Sequence, residues 1–233
     1  MMEIYAVKIR GKSDIQHISR FINHLSVEKQ EGIKKFRRQE DALRTVIGDI
    51  LVRINACSKL GIVNKDIIYE KNEYGKPYIK GYNKFCFSIS HSYEWVVCAI
   101  NDFPLGIDIE RIKPIDLKVA ERIYSKHEVS EMEKRDIPLR LAFFYDLWTL
   151  RESYVKAIGT GFHLPFDSFS FKFYDENRVE LVTNKRSDDY YFRKYNIDDN
   201  YRMAVCSQTD DFPVDIIYKN LDETFDKPLL MGK

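Results

Sequence analysis

The chain has 233 residues, of which 44% are hydrophobic and 31% are charged, a composition typical of a folded globular protein and not of a disordered one. The formal net charge of +1 excludes a strong overall field, so total charge gives no support to binding of nucleic acid or of an anionic membrane. The sequence has no run of 18 apolar residues, which predicts a chain without a membrane span.

The first predicted elements are a strand and two helices. Residues 1–10 alternate between apolar and polar side chains and lack the long apolar stretch of a signal peptide, so we expect a cytoplasmic protein. Ser26 is expected to cap a short helix. Apolar residues at helical spacing between Leu43 and Leu60 predict a long amphipathic helix, which Gly61 ends.

A cluster of basic residues follows the predicted cap. Such a cluster on a helix is most often a solvated face, and the alternative is a site for a phosphate group. The residues themselves leave both interpretations open. The cluster consists of Lys29, Lys34, Lys35, Arg37 and Arg38.

The next part of the chain is predicted to be β structure. Residues 66–70 and 77–79 are expected to form two strands joined by a turn that contains Gly75. Residues 85–92 and 95–100 predict a hairpin with its turn near His91.

Four cysteines are scattered through apolar stretches without a Cys-x-x-Cys pair. This pattern indicates reduced, buried thiols rather than a disulfide or zinc framework. They are Cys57, Cys86, Cys98 and Cys206.

Residues 106–110, with the sequence Gly-Ile-Asp-Ile-Glu, form the most informative strand. Alternate side chains of a strand share a face, so Asp108 and Glu110 are expected on one side and Ile107 and Ile109 on the other. The same pattern describes any half-exposed strand, so the two carboxylates alone do not establish a site.

The second half begins with helices. Residues 117–124 predict a helix, and Ser125 with Glu128 matches a capping box that opens another. A third helix is predicted over residues 139–158, where Gly159 follows as a stop signal.

Strands then complete the second half, and the tail after Asp222 is expected to fray. Both halves therefore contain a long helix followed by strands, and we expect two similar α+β units with a ligand cleft between them. The predicted strands are residues 169–173, 179–182, 190–195 and 202–206.

A third carboxylate, Glu152, lies on the long second helix, with Lys156 one turn later. Alone, this spacing is typical of a surface ion pair worth about 0.3 to 0.5 kcal/mol. If helix and strand converge, the three carboxylates repel one another by about 4 kcal/mol per pair at roughly 4 Å, so a cation must lie among them. Oxygen ligands without clustered His or Cys suit Mg²⁺, which commonly also binds substrate phosphates.

Two further segments are compatible with phosphate chemistry. His91, between Ser90 and Ser92, is either a donor to a phosphate or a turn histidine with a partner of its own. Residues 74–77, Tyr-Gly-Lys-Pro, either line a nucleotide pocket or form an ordinary turn. Together with the carboxylates, these segments favour phosphoryl-type transfer.

These motifs resemble those of the Sfp-type 4′-phosphopantetheinyl transferases over most of the chain, and their order and spacing make the resemblance specific. A chain of this length resembles the pseudo-dimeric monomers of the family. The resemblance implies an α+β fold of two similar α/β subdomains, residues 1–105 and 106–233, in a pseudo-two-fold arrangement with the active site in the cleft between them. The matching segments are residues 26–53, 74–77, 87–92, 106–110 and 148–156, with a weaker match at 211–213.

The resemblance implies an enzyme that uses Mg²⁺, with Mn²⁺ as the alternative ion, and coenzyme A as its substrate. Asp108, Glu110 and Glu152 are the implied Mg²⁺ ligands at the pyrophosphate. Lys156 is implied to stabilise or protonate the leaving phosphate, and Glu152 to be a metal ligand, the base for an attacking serine, or both. The candidate catalytic residues are Glu152, Lys156 and His91.

The resemblance also implies contacts to coenzyme A from both halves, at its phosphates, its nucleotide end and its adenine. The sequence departs from the family pattern at two residues. Gly32 stands where relatives can carry a basic residue, and Arg151 replaces a common lysine, which keeps the charge and changes the geometry. The implied coenzyme A ligands are Lys29, Arg44, Thr45, Tyr74, Gly75, Lys76, Pro77, Ser90, His91 and Lys156.

The implied reaction transfers the 4′-phosphopantetheine arm of coenzyme A to a serine of an apo acyl or peptidyl carrier protein and releases 3′,5′-ADP. Carriers of nonribosomal peptide, polyketide or antibiotic synthesis are the expected partners of a monomeric enzyme. They are expected to dock near Phe162, Leu164 and Phe166, for which core packing is the alternative. The alternative functions are a non-catalytic module that binds coenzyme A or a carrier, and a metal-dependent phosphohydrolase.

Overall fold

The computed structural model describes residues 1–11, 14, 18–165, 168–175, 178–183 and 189–221. Short 3₁₀ turns at Asn64–Asp66, Leu117–Val119 and Gly161–His163 accompany the regular elements. The helices are Ile18–Ile22 (α1), Val27–Ile33 (α2), Gln39–Leu60 (α3), Ala120–Ile123 (α4), Lys126–Glu133 (α5) and Ile137–Ile158 (α6). The strands are Glu3–Lys8 (β1), Tyr69–Lys71 (β2), Pro77–Ile79 (β3), Cys86–Ser92 (β4), Trp95–Asn101 (β5), Leu105–Arg111 (β6), Phe169–Phe173 (β7), Val179–Thr183 (β8), Tyr191–Tyr195 (β9), Tyr201–Ser207 (β10) and Ile217–Lys219 (β11).

The predicted helix boundaries are confirmed where local capping chemistry sets them. The Ser26 hydroxyl accepts a hydrogen bond from the backbone N–H of Lys29. The long helices α3 and α6 each have 22 residues, and each ends at a glycine in the left-handed region, Gly61 (φ 66°) and Gly159 (φ 76°). Two boundaries were wrong: β2 begins only at Tyr69, and residues 117–124 form a 3₁₀ turn and the single-turn helix α4.

Two sheets form the centre of the molecule. The first has the order β11-β1-β5-β4, and the second has the order β6-β10-β9. Helix α3 packs on one face of the first sheet, and α6 packs on the second sheet. The remaining faces of the two sheets meet in an apolar core that contains Ile4, Val97, Ile107 and Val205. The α+β fold with two similar halves is thereby confirmed.

Strand β11 was absent from the sequence prediction. It runs parallel to β1, with Tyr5 opposite Ile217, so the chain returns to the first sheet near its C-terminal end. Its three residues carry too few side chains to show an alternating pattern. The tail after Asp222 lies outside the described residues.

The four cysteines are free thiols, as predicted. Cys57, Cys98 and Cys206 are buried, whereas Cys86 is only half-buried. No helix in the described part of the chain is long and apolar enough to cross a membrane.

Helix α6 packs tightly against β6 at Gly106. A Cβ atom at this residue would overlap the carbonyl oxygen of Ser153 and lie 2.5 Å from the backbone nitrogen of Ala157. Both are backbone atoms, so neither can move aside without displacing the helix. Glycine at this point therefore sets the distance between the strand that carries Asp108 and the helix that carries Glu152.

We expect Gly106→Ala to lower the free energy of unfolding by about 3 kcal/mol, the upper part of the usual overpacking range. Urea denaturation measures this change. Gly32→Ala is the matched control, since nothing lies within 4 Å of a Cβ there and alanine favours the α2 helix. Equal denaturation midpoints for the two variants would contradict the packing argument.

Candidate active site

The carboxylates of β6 lie on the face predicted for them. Ile107 and Ile109 are fully buried in the core between the sheets, whereas Asp108 and Glu110 face the opposite side, towards α6. Asp108 is buried and Glu110 is half-buried. The alternation of the strand thus separates packing residues from charged residues, as the sequence predicts.

Lys156 joins α6 to this strand. Its Nζ lies 2.7 Å from Asp108 Oδ1 and donates to Ser90 Oγ at 3.0 Å and to the Ile107 carbonyl at 3.1 Å. The spacing along the helix suggests a surface ion pair between Lys156 and Glu152, and this interpretation is wrong. Among the described residues, Lys156 forms its ion pair with the buried Asp108. The lysine therefore brings helix and strand together at one point.

The two glutamates of this group have raised pKa values. Burial raises the pKa of Glu152, and the charges of Asp108 and Glu110 raise it further. Burial and the charge of Asp108 likewise raise the pKa of Glu110. Lys156 opposes both shifts. Negative charge is therefore concentrated here beyond what one lysine compensates, which favours a cation.

The donor atoms suit a hard divalent cation, although they do not converge into a closed ligand set. Asp108 Oδ2 is buried without a hydrogen-bond partner, and all three side chains offer oxygen, the donor that Mg²⁺ prefers. Among the described residues, no three His, Cys, Asp or Glu side chains stand close enough to hold a metal. Lys156 pairs with Oδ1 of Asp108, which leaves Oδ2 for a cation.

A cavity of about 310 Å³ opens beside these groups. The Tyr74–Pro77 segment lines one side of it and Glu152 and Lys156 line another. The structure thus brings the segment predicted to contact adenine to the same cavity as the charged residues of α6. Tyr74 and Pro77 are exposed there.

The Tyr74–Pro77 segment is fixed to the second half by polar contacts. Lys76 Nζ donates to the carbonyl of Leu105 at 3.2 Å and to that of Ala157 at 3.0 Å, and burial lowers its pKa to about 8. Asn72 donates to the carbonyl of Gly159 at 2.9 Å. The Lys76 ammonium therefore binds protein carbonyls at the start of β6 and the end of α6.

The predicted nucleotide residues of the first half also have protein partners. Lys29 Nζ lies 3.3 Å from the buried carboxylate of Asp49. Arg44 donates to the carbonyl of Tyr93 and to Asp41, and Thr45 donates to the carbonyl of Asp41. Their roles in binding a nucleotide stay predictions.

His91 is exposed near the end of β4, as its predicted place in a hairpin requires. Desolvation and the charge of Arg44 lower its pKa, so the neutral imidazole is favoured near neutral pH. Tyr93, at the hairpin turn, has a φ of 53° in the left-handed region. Its carbonyl accepts from Arg44, so the turn is tied to α3.

Sequence reasoning missed the role of Ser92. Its hydroxyl donates to Glu110 Oε2 at 2.8 Å, and the Ser90 hydroxyl donates to Asp108 Oδ1 at the same distance. The signal was present: Ser88, Ser90 and Ser92 occupy alternate residues of one strand and therefore share a face.

Arg151 lies outside the cavity and is completely buried. Its guanidinium donates to Glu128 at 2.7 Å and lies over the rings of Tyr124, Phe169 and Phe171. Glu128 completes the predicted capping box and also accepts from the backbone N–H of Phe171. Glu128 therefore links α5 to α6 and β7, in addition to the local capping role that the sequence indicates.

The predicted carrier-docking segment is only partly described. Leu164 is half-buried and packs against the core around α6, which supports core packing for this residue. Phe166 and the side chain of Phe162 lie outside the described residues. Docking at this segment stays a prediction.

Comparisons with known proteins cover both halves. A family model described as the 4′-phosphopantetheinyl transferase superfamily matches residues 104–206, and a model of a 4′-phosphopantetheinyl transferase N-terminal part matches residues 12–102. The 4′-phosphopantetheinyl transferase Sfp of Bacillus subtilis (strain 168) is 38% identical over 95% of this chain and 99% of that protein. The 4′-phosphopantetheinyl transferase gsp of Aneurinibacillus migulanus is 37% identical over 89% of this chain and 86% of that protein. A solved holo-(acyl-carrier-protein) synthase from Bacillus anthracis is 21% identical, with a TM-score of 0.41, over 45% of this chain and 94% of that chain.

Proposed function

The chain belongs to the Sfp-type 4′-phosphopantetheinyl transferases, and we infer that it transfers the 4′-phosphopantetheine arm of coenzyme A to a serine of an apo carrier protein. The other product is 3′,5′-ADP. The observation that carries this function is the junction of β6 and α6, where Lys156 meets Asp108 beside a cavity lined by Glu152 and the Tyr74–Pro77 segment.

Asp108, Glu110 and Glu152 would hold Mg²⁺, or Mn²⁺ in its place. The unpartnered Asp108 oxygen and the raised pKa values of the two glutamates support this assignment. When bound, the ion supplies positive charge to the diphosphate of coenzyme A. This charge also compensates the repulsion among the carboxylates.

The protein side chains supply the proton chemistry. The hydroxyl oxygen of the carrier serine forms a bond to the β-phosphorus, and the bond from that phosphorus to the 3′,5′-ADP oxygen breaks. Glu152 accepts the serine proton, because its raised pKa makes it a stronger base than an ordinary carboxylate. Lys156 stabilises the leaving phosphate with its positive charge, and His91 donates to a phosphate oxygen.

Coenzyme A binding involves both halves of the chain. Lys29, Arg44 and Thr45 serve its nucleotide end, Tyr74–Pro77 lines the adenine, and Ser90 lies at the phosphates. A monomer is proposed, since one chain supplies both sides of the cavity. The proposed location is the cytoplasm. The residues proposed for the site lie in both proposed subdomains, 1–105 and 106–233.

Incubation of the purified chain with coenzyme A, Mg²⁺ and an apo carrier of peptide or polyketide assembly tests the function. We expect mass spectrometry to show one added phosphopantetheine arm per carrier, and chelation of the metal to stop the transfer. Tight coenzyme A binding without transfer to any of several carriers would support a non-catalytic module instead. Cleavage of coenzyme A without a carrier would indicate a hydrolase.

A further inference from the structure

Three serines connect the two sheets at the candidate site. Ser88, Ser90 and Ser92 lie at alternate residues of β4, and each hydroxyl accepts a hydrogen bond from a backbone N–H of β6. The N–H groups belong to residues 107, 109 and 111, at 3.1, 3.3 and 3.0 Å. Each pair is 19 residues apart, so the two segments run parallel and the hydroxyls replace a backbone ladder.

A serine hydroxyl that accepts an N–H bond still has a proton to donate. Ser92 directs this proton to Glu110 Oε2 at 2.8 Å, while it accepts from the backbone of Arg111. Ser88 contacts Ile107 in the same way, but among the described residues it reaches no carboxylate. The two serines therefore share the sheet contact and differ in the contact to Glu110.

The contact to Glu110 restricts its side chain. One carboxylate oxygen is held by a neutral donor that is itself fixed to the backbone of the same strand. Ser92 is 7% exposed, so water does not compete freely for this bond. Among the hydrogen bonds of the described residues, the Glu110 side chain takes part only through this oxygen, so its other carboxylate oxygen is left for a further partner.

We propose that Ser92 is a positioning residue that orients Glu110 as a ligand for the divalent cation. This inference rests on the proposed function, in which Glu110 holds Mg²⁺. Groups that hydrogen-bond to metal ligands fix the ligand orientation, and their loss commonly lowers metal affinity or activity about 10- to 100-fold. Ser92 touches neither the substrate nor the reacting atoms in this role.

A purely structural role for Ser92 makes a different prediction. If it served only to join the sheets, its loss would resemble the loss of Ser88, which is equally buried at 7% and makes the same type of backbone contact. Ser88→Ala is therefore the matched control. Ser92→Thr retains the hydroxyl and serves as the rescue variant.

The experiment measures three quantities for the wild type, Ser92→Ala, Ser88→Ala and Ser92→Thr. These are the Tm without metal, the Mg²⁺ concentration for half-maximal transfer, and Mg²⁺ binding by calorimetry in the presence of coenzyme A. We expect similar losses of Tm in the two alanine variants. We expect Ser92→Ala alone to need about 10-fold more Mg²⁺, and Ser92→Thr to restore the wild-type requirement.

Equal Mg²⁺ requirements in Ser92→Ala and Ser88→Ala would overturn the proposal, and so would a threonine variant as impaired as the alanine variant. A wild-type chain that binds Mg²⁺ but transfers no arm would instead count against the proposed function. Calorimetry then still compares Mg²⁺ affinity among the variants, so the role of Ser92 is decided separately.

Discussion

Glu152→Gln is expected to reduce transfer by at least about 100-fold, because it removes a proton acceptor and a charged metal ligand while keeping the shape of the side chain. The fold should not suffer. Burial and two neighbouring carboxylates raise the pKa of Glu152 in the folded state, so its charge costs stability at neutral pH. Glutamine removes that cost, and the metal-free variant should have a Tm at or above that of the wild type.

The same variant gives a measurement that does not depend on activity. Mg²⁺ that binds the folded protein raises the Tm by mass action, and this rise should shrink or vanish in Glu152→Gln. Glu133→Gln is the control, since Glu133 is exposed on α5. Transfer within threefold of the wild type in Glu152→Gln would remove this residue from the mechanism.

Arg151→Met should produce the largest loss of stability, about 3 to 5 kcal/mol, because it leaves the buried carboxylate of Glu128 without its countercharge. Both side chains are 0% exposed, so water cannot replace the lost partner. Urea denaturation of the metal-free protein measures the change. The double variant Glu128→Gln with Arg151→Met should recover part of the loss, since no uncompensated charge then remains.

Two further variants define the interpretation of the Arg151 result. Arg151→Lys retains the positive charge and should be milder, because Glu128 keeps a countercharge. Lys134→Met breaks the exposed ion pair with Glu131 and should cost less than about 1 kcal/mol. A loss below that value in Arg151→Met would show that the buried pair contributes little.

The sequence predicts those parts of the fold that depend on neighbouring residues. The Ser26 cap, the glycine stops after both long helices and the two faces of β6 follow from local patterns, and the structure confirms them. Strand β11 was missed because its formation depends on pairing with a strand more than 200 residues earlier in the chain. Local pattern contains no information about such a pairing.

The candidate site was predictable in its residue types but not in its pairings. Spacing along α6 suggests Glu152 as the partner of Lys156, whereas tertiary packing at Gly106 brings Lys156 to Asp108. Lys76 is a second example, because its ammonium binds two backbone carbonyls that are distant in sequence and that local spacing does not predict. Helical geometry predicts which side chains are neighbours on one helix. Which side chains form ion pairs depends on the contacts between the helix and the strand.

The pairing of β11 with β1 has a consequence for how the protein is made. Strand β1 is synthesised more than 200 residues before its partner at residues 217–219. Until then one edge of β1 lacks its backbone partners, and unpaired strand edges promote association with other chains. The first sheet of this enzyme therefore stays incomplete until residues 217–219 have been synthesised, and the nascent chain exposes that edge of β1 until then.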